Sequence, residues 1–593
     1  MFSRRRGKGQ DWWQRKTLNT IRSRLDCRPP PPEGFHLSMA SADPAGCTLK
    51  KIDARRTKIG SVDWWTMRSE MEPAADTAAG LFAWPATAAQ VLMLGGHQGC
   101  RAQLEEHLCN GVHLHSMYSG RGTAEAALMK LWAATDSLSS RPIRTREWTC
   151  GIAVERKPVA QRILLHSDGP SRVTHLFGDF DTLLADDMKL QIDKMIPRAQ
   201  QSKSEKEAAF AEIGTYLNCH SHTAFPKGHG AYCMVHNTIC CPHVIPGRQE
   251  KPFGVGSGSG YGSNDGVGEE FDCRHLVMWV AGSTCKDFSR INHKKMCSAG
   301  EHMRPWKVFD ALVRKHRPHL LLHEITPSMV SRVLILIDIG DLYDVEFGSL
   351  SPVDVGWSCE RERQIAVCTL RGSVVYTGSW EHVFRLFARM VMVSPSDIVE
   401  CPQEYTDTVR KDKAAAHGHH GRHVGDHTIT AEQLLSPCQL VHHGGYQELG
   451  PACCSLAGEY WFDLDQSPLW GRCSPFFPTL LSHGTLMNGL TGQILGGMQH
   501  LALMGDALWP AQQAGHKFGC DYAALILDGA LSEGQMKDIA GSALHEAVFG
   551  FVQLYVPAHT KRVSGAHLLA TAIGDHSIDA GDEEDEDDSD TTL

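Results

Sequence analysis

Cys285 and Glu324 are the two residues whose types and positions most clearly indicate chemistry. Cys285 stands in a polar segment, GSTCKDFS, directly after the apolar run VMWVA, and Glu324 ends a second apolar run, HLLLHE. A free cysteine usually packs as a small hydrophobic residue, but a thiol among polar residues and beside Lys286 favours the thiolate. The pair therefore predicts a nucleophile and a proton donor that face one cleft.

Two arginines further along the chain form a second candidate group. In WSCERERQIAVCTL, Arg361 and Arg363 lead into an apolar run, and their i, i+2 spacing puts both on one face of a strand. Such a pair indicates hydrogen-bond donors directed at a phosphate or a base. An ordinary charged strand edge is the alternative.

A glycine turn, MYSGRGTAE, supplies the third pattern. It connects a predicted strand to a predicted helix, where glycines let the backbone approach a ligand and the helix N-terminus favours an anionic group. An acid ends each of the next two predicted strands, where carboxylates can bind ribose hydroxyls and an adenine amino group. These features are typical of a nucleoside cofactor site that fits S-adenosylmethionine, although the turn alone is also compatible with a plain connection. The candidate cofactor residues are Tyr118, Ser119, Gly120, Gly122, Glu155 and Asp179.

The candidate residues stand next to short apolar runs, which are typical of buried parallel strands and would position them. The runs GVHLHSM, GIAVE, VTHLFGDF, VMWVAG and HLLLHE alternate with helical patterns such as TAEAALMKLWAAT. This alternation predicts βαβ units and a doubly wound, Rossmann-like α/β domain. Since ligands bind beyond the carboxyl ends of the strands in such sheets, we expect the candidate residues at one edge.

Composition limits the class of protein. The chain has 593 residues, 42% of them hydrophobic, which is enough for a large core, and its net charge of -10 argues against a uniformly basic nucleic-acid binder. The start (RRRGK) is basic, and the acidic tail (DEEDEDDSD) is expected to be disordered. No apolar stretch is long enough for a membrane span, so we expect no membrane partner. The basic start favours nuclear localisation, with a transit peptide as the alternative.

A Cys/His-rich insertion at about residues 200–270 is a candidate metal site. The 20 cysteines are scattered along the chain, which favours reduced thiols over a disulfide framework in an intracellular protein. Cysteines and histidines at short spacing could hold zinc, and a Cys/His-rich loop without metal is the alternative. The candidate zinc ligands are Cys219, His222, Cys233, His236 and Cys240.

Taken in chain order, the motifs resemble those of the DNA (cytosine-5) methyltransferase family. The family's F-x-G-x-G turn is matched by Tyr118, Gly120 and Gly122, its P-C-Q loop by Thr284, Cys285 and Lys286, its E-N-V motif by Glu324, Ile325 and Thr326, and its Q-x-R-x-R motif by Cys359, Arg361 and Arg363. FPTLLSHGTLMN is similar to the segment that supports the family's target-recognition region. GSALHEAVFG is similar to the final G-N-A motif, which puts Ser542 at the cofactor pocket.

The resemblance implies an S-adenosylmethionine-dependent methyltransferase domain with a smaller, irregular target-recognition domain. It divides the chain into a basic, partly disordered arm (1–105), a catalytic core with the Cys/His-rich insertion (106–370), a target-recognition region (371–475), a segment that completes the catalytic domain (476–558) and an acidic tail (559–593).

The resemblance also implies a reaction, methylation of cytosine C5 in DNA. Cys285 would attack C6 of a flipped-out cytosine, Glu324 would protonate N3, and Arg361 and Arg363 would steady the base. The chain departs from the family pattern at Thr284, Lys286, Ile325, Cys359 and Ser542. Two alternatives therefore stay open, namely cytosine-5 methylation of tRNA and a non-catalytic protein that binds nucleic acid or, through its termini, chromatin proteins.

Overall fold

The computed structural model describes residues 74–95, 98–139, 148–168, 171–226, 228–242, 275–282, 297–327, 329–417, 431–454, 458–469, 471–509, 512, 519–520, 525 and 531–563. The predicted nucleophile Cys285, with Thr284 and Lys286, lies outside these residues, as do the basic start and the acidic segment 582–590.

Seven strands form the central sheet. They are β1 (Val112–Met117), β2 (Trp148–Val154), β3 (His175–Phe177), β4 (Leu276–Gly282), β5 (Leu320–Ile325), β6 (Tyr343–Leu350) and β7 (Arg363–Leu370). Their spatial order is β3-β2-β1-β4-β5-β7-β6. Strands β3, β2, β1, β4 and β5 are parallel to one another, whereas β7 is antiparallel to both β5 and β6. The order reverses between β1 and β4, and this is where a doubly wound sheet opens a crevice for ligands.

Helices cover both faces of the sheet, as the predicted doubly wound α/β class requires. The main helices are α1 (Trp84–Leu94), α2 (Thr123–Leu138), α3 (Pro158–Leu165), α4 (Met303–His316), α5 (Met329–Ile339), α6 (Glu533–Ser542) and α7 (Glu546–Ala558). Residues of β4 alternate between two cores, because Met278 and Val280 pack with α1, α2 and α7, and Trp279 and Ala281 pack with α4. The continuous apolar runs in the sequence therefore reflect strands that are buried on both faces.

Shorter elements complete the described structure. The further helices are Ala78–Phe82, Gln98–Asn110, Asp186–Met195, Lys203–Cys219, Ser221–Ala224, Trp380–Phe387, Pro395–Ile398, Gln403–Ala416, Ala431–Leu434, Pro437–Leu449 and Gly497–Ala502, with 3-10 turns at Phe180–Leu183, Cys297–Ala299, Pro352–Asp354 and Gly450–Ala452. Short strands pair as Ala231–Cys233 with Thr238–Cys240, Ser167–Asp168 with Gly519–Cys520, and Val374–Tyr376 with Thr560–Arg562. Trp461–Asp463 lies between Cys473–Ser474 and Leu486–Asn488 in a three-stranded sheet with its own small core.

The two ends of the described chain meet in one helical layer. Helix α7 is buried along its whole length and packs against α1 and α2. The predicted boundary at residue 105 falls inside the helix Gln98–Asn110, and the strand Thr560–Arg562 lies in the segment assigned to the acidic tail. Residues on both sides of these boundaries therefore belong to the packed domain.

One stretch of the described residues, Glu533–Ala558, has the length and composition of a membrane span. It comprises α6 and α7, and 83% of its apolar window is buried inside the protein. Its hydrophobic surface is therefore already covered by other parts of the chain, as in a core helix.

Candidate functional site

The glycine turn lies at the carboxyl end of β1, and three of its residues have left-handed backbone conformations. Tyr118, Gly120 and Gly122 all have positive φ values, of 58°, 57° and 81°. Ser119 is held by its N–H, which donates to the carbonyl of Val154 at 3.1 Å. A Cβ added to Gly120 would meet no atom of the described residues within 4 Å, so this part of the chain leaves the turn open. A ligand can therefore approach the backbone at Gly120.

Glu155 binds this turn through its carboxylate. It follows β2 and accepts the N–H of Gly120 on one oxygen and the N–H of Lys157 on the other, each at 2.7 Å. Burial raises the pKa of Glu155, while the backbone donors from Lys157 and Gly120 partly oppose that shift. A carboxylate offers about four lone-pair positions, so these backbone donors leave acceptor capacity for a ribose hydroxyl.

The third wall of the site follows β3. Asp179 caps the 3-10 turn Phe180–Leu183, and the ring of Tyr118 packs against Phe180 at 4.7 Å between centroids. The nearby Asp181 is occupied by Arg304, whose Nε lies 3.0 Å from the carboxylate. The predicted cofactor residues of β1, β2 and β3 therefore lie along one edge of the sheet.

Ser542 reaches the same edge through a residue that the sequence motifs did not single out, Lys157. The ammonium group of Lys157 pairs with Asp538 of α6 at 2.9 Å and donates to Ser542 Oγ at 3.2 Å. Lys157 lies two residues after Glu155, so it ties the C-terminal helix to the end of β2. Its position two residues after Glu155, the acid predicted to bind the ribose, was the available signal.

Glu324 and Arg363 form the ion pair at the end of β5. Arg363 Nε lies 2.8 Å from Glu324 Oε1, and both side chains are mostly buried. Burial raises the pKa of Glu324, and the charges of Arg363 and Arg361 partly oppose the rise. The carboxyl therefore lies in a site that favours its protonated form while a cation orients it.

Arg361 has a different environment from Arg363. Its guanidinium is buried and donates to three main-chain carbonyls, those of Leu480 at 3.2 Å, Gly541 at 3.1 Å and Ala543 at 2.8 Å. It therefore connects the two late motifs, FPTLL and GSA, to the start of β7. The i, i+2 spacing of the two arginines predicted a shared role. Their contacts differ, because Arg361 positions the late motifs and Arg363 pairs with the Glu324 carboxylate.

Gly282 joins the two halves of the site. It pairs with Glu324 in the register of β4 and β5. A Cβ on Gly282 would lie 3.5 Å from Leu544 Cδ2 and 3.9 Å from Glu324 Oε2. Gly282 is the last described residue before the segment that carries Cys285 in the sequence.

Glu125 is a buried acid next to the glycine turn. It belongs to the motif MYSGRGTAE, but the sequence assigned it no role. Ser116 Oγ donates to one of its carboxylate oxygens, and among the described residues the other oxygen has no hydrogen-bond partner. Burial raises the pKa of Glu125 to about 7. An acid in the first turn of an otherwise apolar helix was the signal for this residue.

The predicted zinc ligands separate into two groups. Cys233, His236 and Cys240 lie together, and the structure adds His175 of β3 to them. Cys219 and His222 lie outside this group. Cys219 is an exposed residue at the end of the helix Lys203–Cys219, and His222 Nδ1 lies 2.8 Å from Lys315 Nζ. Sequence spacing could not identify His175, since it belongs to a sheet strand and not to the Cys/His-rich insertion.

Comparison with known proteins gives structural likeness only. No family model and no curated protein matches the chain. Among solved structures it is similar to the S. pombe Dnmt2 methyltransferase, at 11% identity over 75% of this chain and 98% of that chain, with a TM-score of 0.33. It is also similar to a prophage-encoded E. coli protein described as a DNA modification methyltransferase (12% identity, 76% and 99% coverage, TM-score 0.36) and to the Entamoeba histolytica methyltransferase EhMeth (10% identity, 75% and 98% coverage, TM-score 0.30).

Proposed function

We propose that this chain is an S-adenosylmethionine-dependent methyltransferase that methylates C5 of cytosine in DNA. One observation carries the proposal. The Glu324–Arg363 pair lies beside Gly282, at the point where the segment with Cys285 begins, on the same sheet edge as the glycine turn. Covalent activation of a pyrimidine needs a buried acid and a thiol nucleophile, and the sequence supplies the thiol three residues after Gly282.

The residues of the turn fit the adenosyl cofactor. Gly120 leaves open space, Glu155 retains acceptor capacity for the ribose hydroxyls, and Asp179 lies beyond the next strand for the adenine amino group. When bound, the cofactor supplies the methyl group. Lys157 holds Ser542 and α6 against this edge and so closes the pocket from the C-terminal side.

The chain's own residues would activate the base in two coupled steps. The Cys285 thiolate forms a bond to C6 of a flipped-out cytosine, and the proton of Glu324 moves to N3, so the electron pair of the C5–C6 bond becomes available at C5. After methylation, water takes the proton from C5, the electron pair of that C–H bond re-forms the C5–C6 double bond, the Cys285–C6 bond breaks to release the thiolate, and N3 returns its proton to Glu324. Arg363 keeps the Glu324 carboxyl oriented throughout.

The test is transfer of a labelled methyl group from S-adenosylmethionine to duplex DNA and, in a parallel reaction, to tRNA. Wild type is compared with Cys285→Ala and with Cys219→Ser, an exposed cysteine distant from the site by sequence. We expect transfer to DNA, its loss in Cys285→Ala and no change in Cys219→Ser. A covalent complex with DNA containing 5-fluorocytosine would form only with a chain that retains Cys285.

Three outcomes would contradict parts of the proposal. Transfer that survives in Cys285→Ala would rule out the covalent mechanism. Transfer to tRNA alone would assign the same chemistry to RNA. A folded wild type that binds DNA without transfer or covalent complex on either substrate would favour the non-catalytic binding protein.

A further inference from the structure

Four side chains outside the cofactor edge converge on one point. They are His175 from β3, and Cys233, His236 and Cys240 from the hairpin Ala231–Cys233/Thr238–Cys240. One potential ligand atom from each lies within 4.8 Å of the ligand atoms of the other three. Two thiols and two imidazoles are the donor set that proteins use for closed, tetrahedral zinc sites.

The distances within this group match a shared metal ion. His236 Nδ1 lies 3.5 Å from Cys233 Sγ and 3.4 Å from Cys240 Sγ. Zinc bonds of about 2.3 Å to sulfur and about 2.0 Å to nitrogen, at a tetrahedral angle, put neighbouring ligand atoms about 3.5 Å apart. The His175 and His236 rings meet at 4.9 Å between centroids, which brings the fourth donor into the same cluster.

His175 gives a second and independent indication of a ligand. Its Nδ1 is buried and has no hydrogen-bond partner among the described residues. A buried nitrogen without a partner costs about 1–3 kcal/mol, and a metal bond would remove that cost. His175 is itself a buried residue of the edge strand, so its ring cannot turn to solvent to satisfy the nitrogen.

Part of the hairpin packs into the core, where Ala231 and Cys233 are buried. It is joined to β3 by a backbone bond from Met234 N–H to the Leu176 carbonyl at 2.9 Å. Two of its large side chains, Tyr232 and Ile239, are 52% and 58% exposed. A metal bound by residues of both the hairpin and β3 would add to this packing, since binding to the folded state contributes to stability.

We propose that His175, Cys233, His236 and Cys240 bind one Zn²⁺ as a structural site that fastens this hairpin to the edge of the central sheet. The four protein ligands fill the coordination sphere, which leaves no position for a catalytic water. The ligand spacing is Cys-x2-His-x3-Cys, completed by a histidine from the preceding strand. This site does not depend on the proposed methyl transfer.

The test begins with the zinc content of the purified full-length chain, measured by inductively coupled plasma mass spectrometry. We expect about one zinc per chain, and at least a tenfold loss of bound zinc in Cys233→Ser, Cys240→Ser and His175→Ala. Cys241→Ser is the matched control, because Cys241 adjoins a ligand without belonging to the cluster, and Cys219→Ser and His222→Ala are further controls. All three controls should keep their zinc.

Two measurements on the wild type cover the case in which a ligand variant fails to fold. Cobalt substitution should give the intense visible bands of a tetrahedral ion with thiolate charge transfer. A chelator should lower the Tm, and added zinc should restore it, since a ligand of the folded state alone raises stability. The proposal is overturned if the wild type binds no zinc even when it is supplied, if Cys241→Ser loses as much zinc as Cys240→Ser, if a Cys233–Cys240 disulfide is found, or if the chelator leaves the Tm unchanged.

Discussion

Glu324 shows how two opposing effects set the state of one residue. Burial is the larger effect and raises its pKa, whereas the guanidinium of Arg363 at 2.8 Å favours the carboxylate. The net rise keeps a proton available at a pH where an exposed glutamate would have lost it. Arg363 therefore orients the acid without removing its capacity to donate.

Replacing Glu324 with glutamine is expected to lower kcat for methyl transfer by about 10²-fold or more, because a positioned proton donor typically contributes about 10²–10⁴-fold. The measurement is single-turnover methylation under saturating cofactor. Asp344→Asn is the control, since Asp344 forms an exposed pair with Arg371 at the other end of β7. Equal rates for Glu324→Gln and wild type would remove Glu324 from the mechanism.

Glu125 provides a pH test of the buried turn. Its pKa of about 7 lies above the ordinary value of 4.5, so the folded chain holds a proton that the unfolded chain has lost between these pH values. Stability from this group is therefore fully present below about pH 4.5 and falls as pH rises to about 7, by about 3 kcal/mol in total. Glu125→Gln should remove that part of the slope in urea unfolding at pH 5 and pH 8. Glu404→Gln, at an exposed residue, should retain the wild-type pH dependence of the free energy of unfolding. An unchanged pH dependence in Glu125→Gln would contradict the raised pKa of Glu125.

At the scale of elements, the turn after β1 contains two glycines that serve different purposes. A Cβ on Gly120 would meet no atom of the described residues within 4 Å, whereas a Cβ on Gly122 would lie 2.9 Å from Leu164 Cδ2 of α3. Both have positive φ, which L-residues adopt at a cost of about 1–2 kcal/mol. Gly122 therefore permits the packing of α2 on α3, and Gly120 permits access to the backbone.

This difference predicts opposite patterns for two alanine variants. Gly120→Ala should weaken S-adenosylmethionine binding at least tenfold with a stability loss of about 1 kcal/mol, because its methyl group enters the open space. Gly122→Ala should cost about 2–4 kcal/mol, since overpacking adds to the backbone strain. Calorimetric titration and urea unfolding measure the two quantities. The interpretation fails if Gly120→Ala binds normally or if Gly122→Ala is the more stable of the two.

At the scale of the whole molecule, residues from distant parts of the sequence complete one domain. Trp84 of α1 is 3% exposed and packs on Phe551 of α7 at 5.6 Å between ring centroids. Gly550 lets this contact form, because a Cβ there would lie 2.2 Å from the Trp84 ring. Helices α1 and α7, near the two ends of the described chain, therefore stabilise each other by direct packing.

Trp84→Ala is accordingly expected to lower the free energy of unfolding by about 3–5 kcal/mol, the usual cost of truncating a buried aromatic residue. Leu94→Ala, on the same helix, should change it by less than about 0.5 kcal/mol because Leu94 is 60% exposed. Urea unfolding measures both. Near-equal effects would mean that α1 is not part of the cooperative unit.

The sequence by itself determined six strands of the central sheet (β1 to β5 and β7), the glycine turn, and the acids at the ends of β2 and β5. These features depend on local patterns, since an apolar run, a positive-φ glycine and the residue after a strand can all be read within a few positions. The pairing of Glu324 with Arg363, and the separate role of Arg361, needed the register of β5 and β7 and the return of the C-terminal segment. The inclusion of His175 with the hairpin cysteines, and of Lys157 with α6, likewise joins residues far apart in the chain. Only the tertiary structure decided these contacts, because spacing along a chain carries no information on which distant side chains the packing brings together.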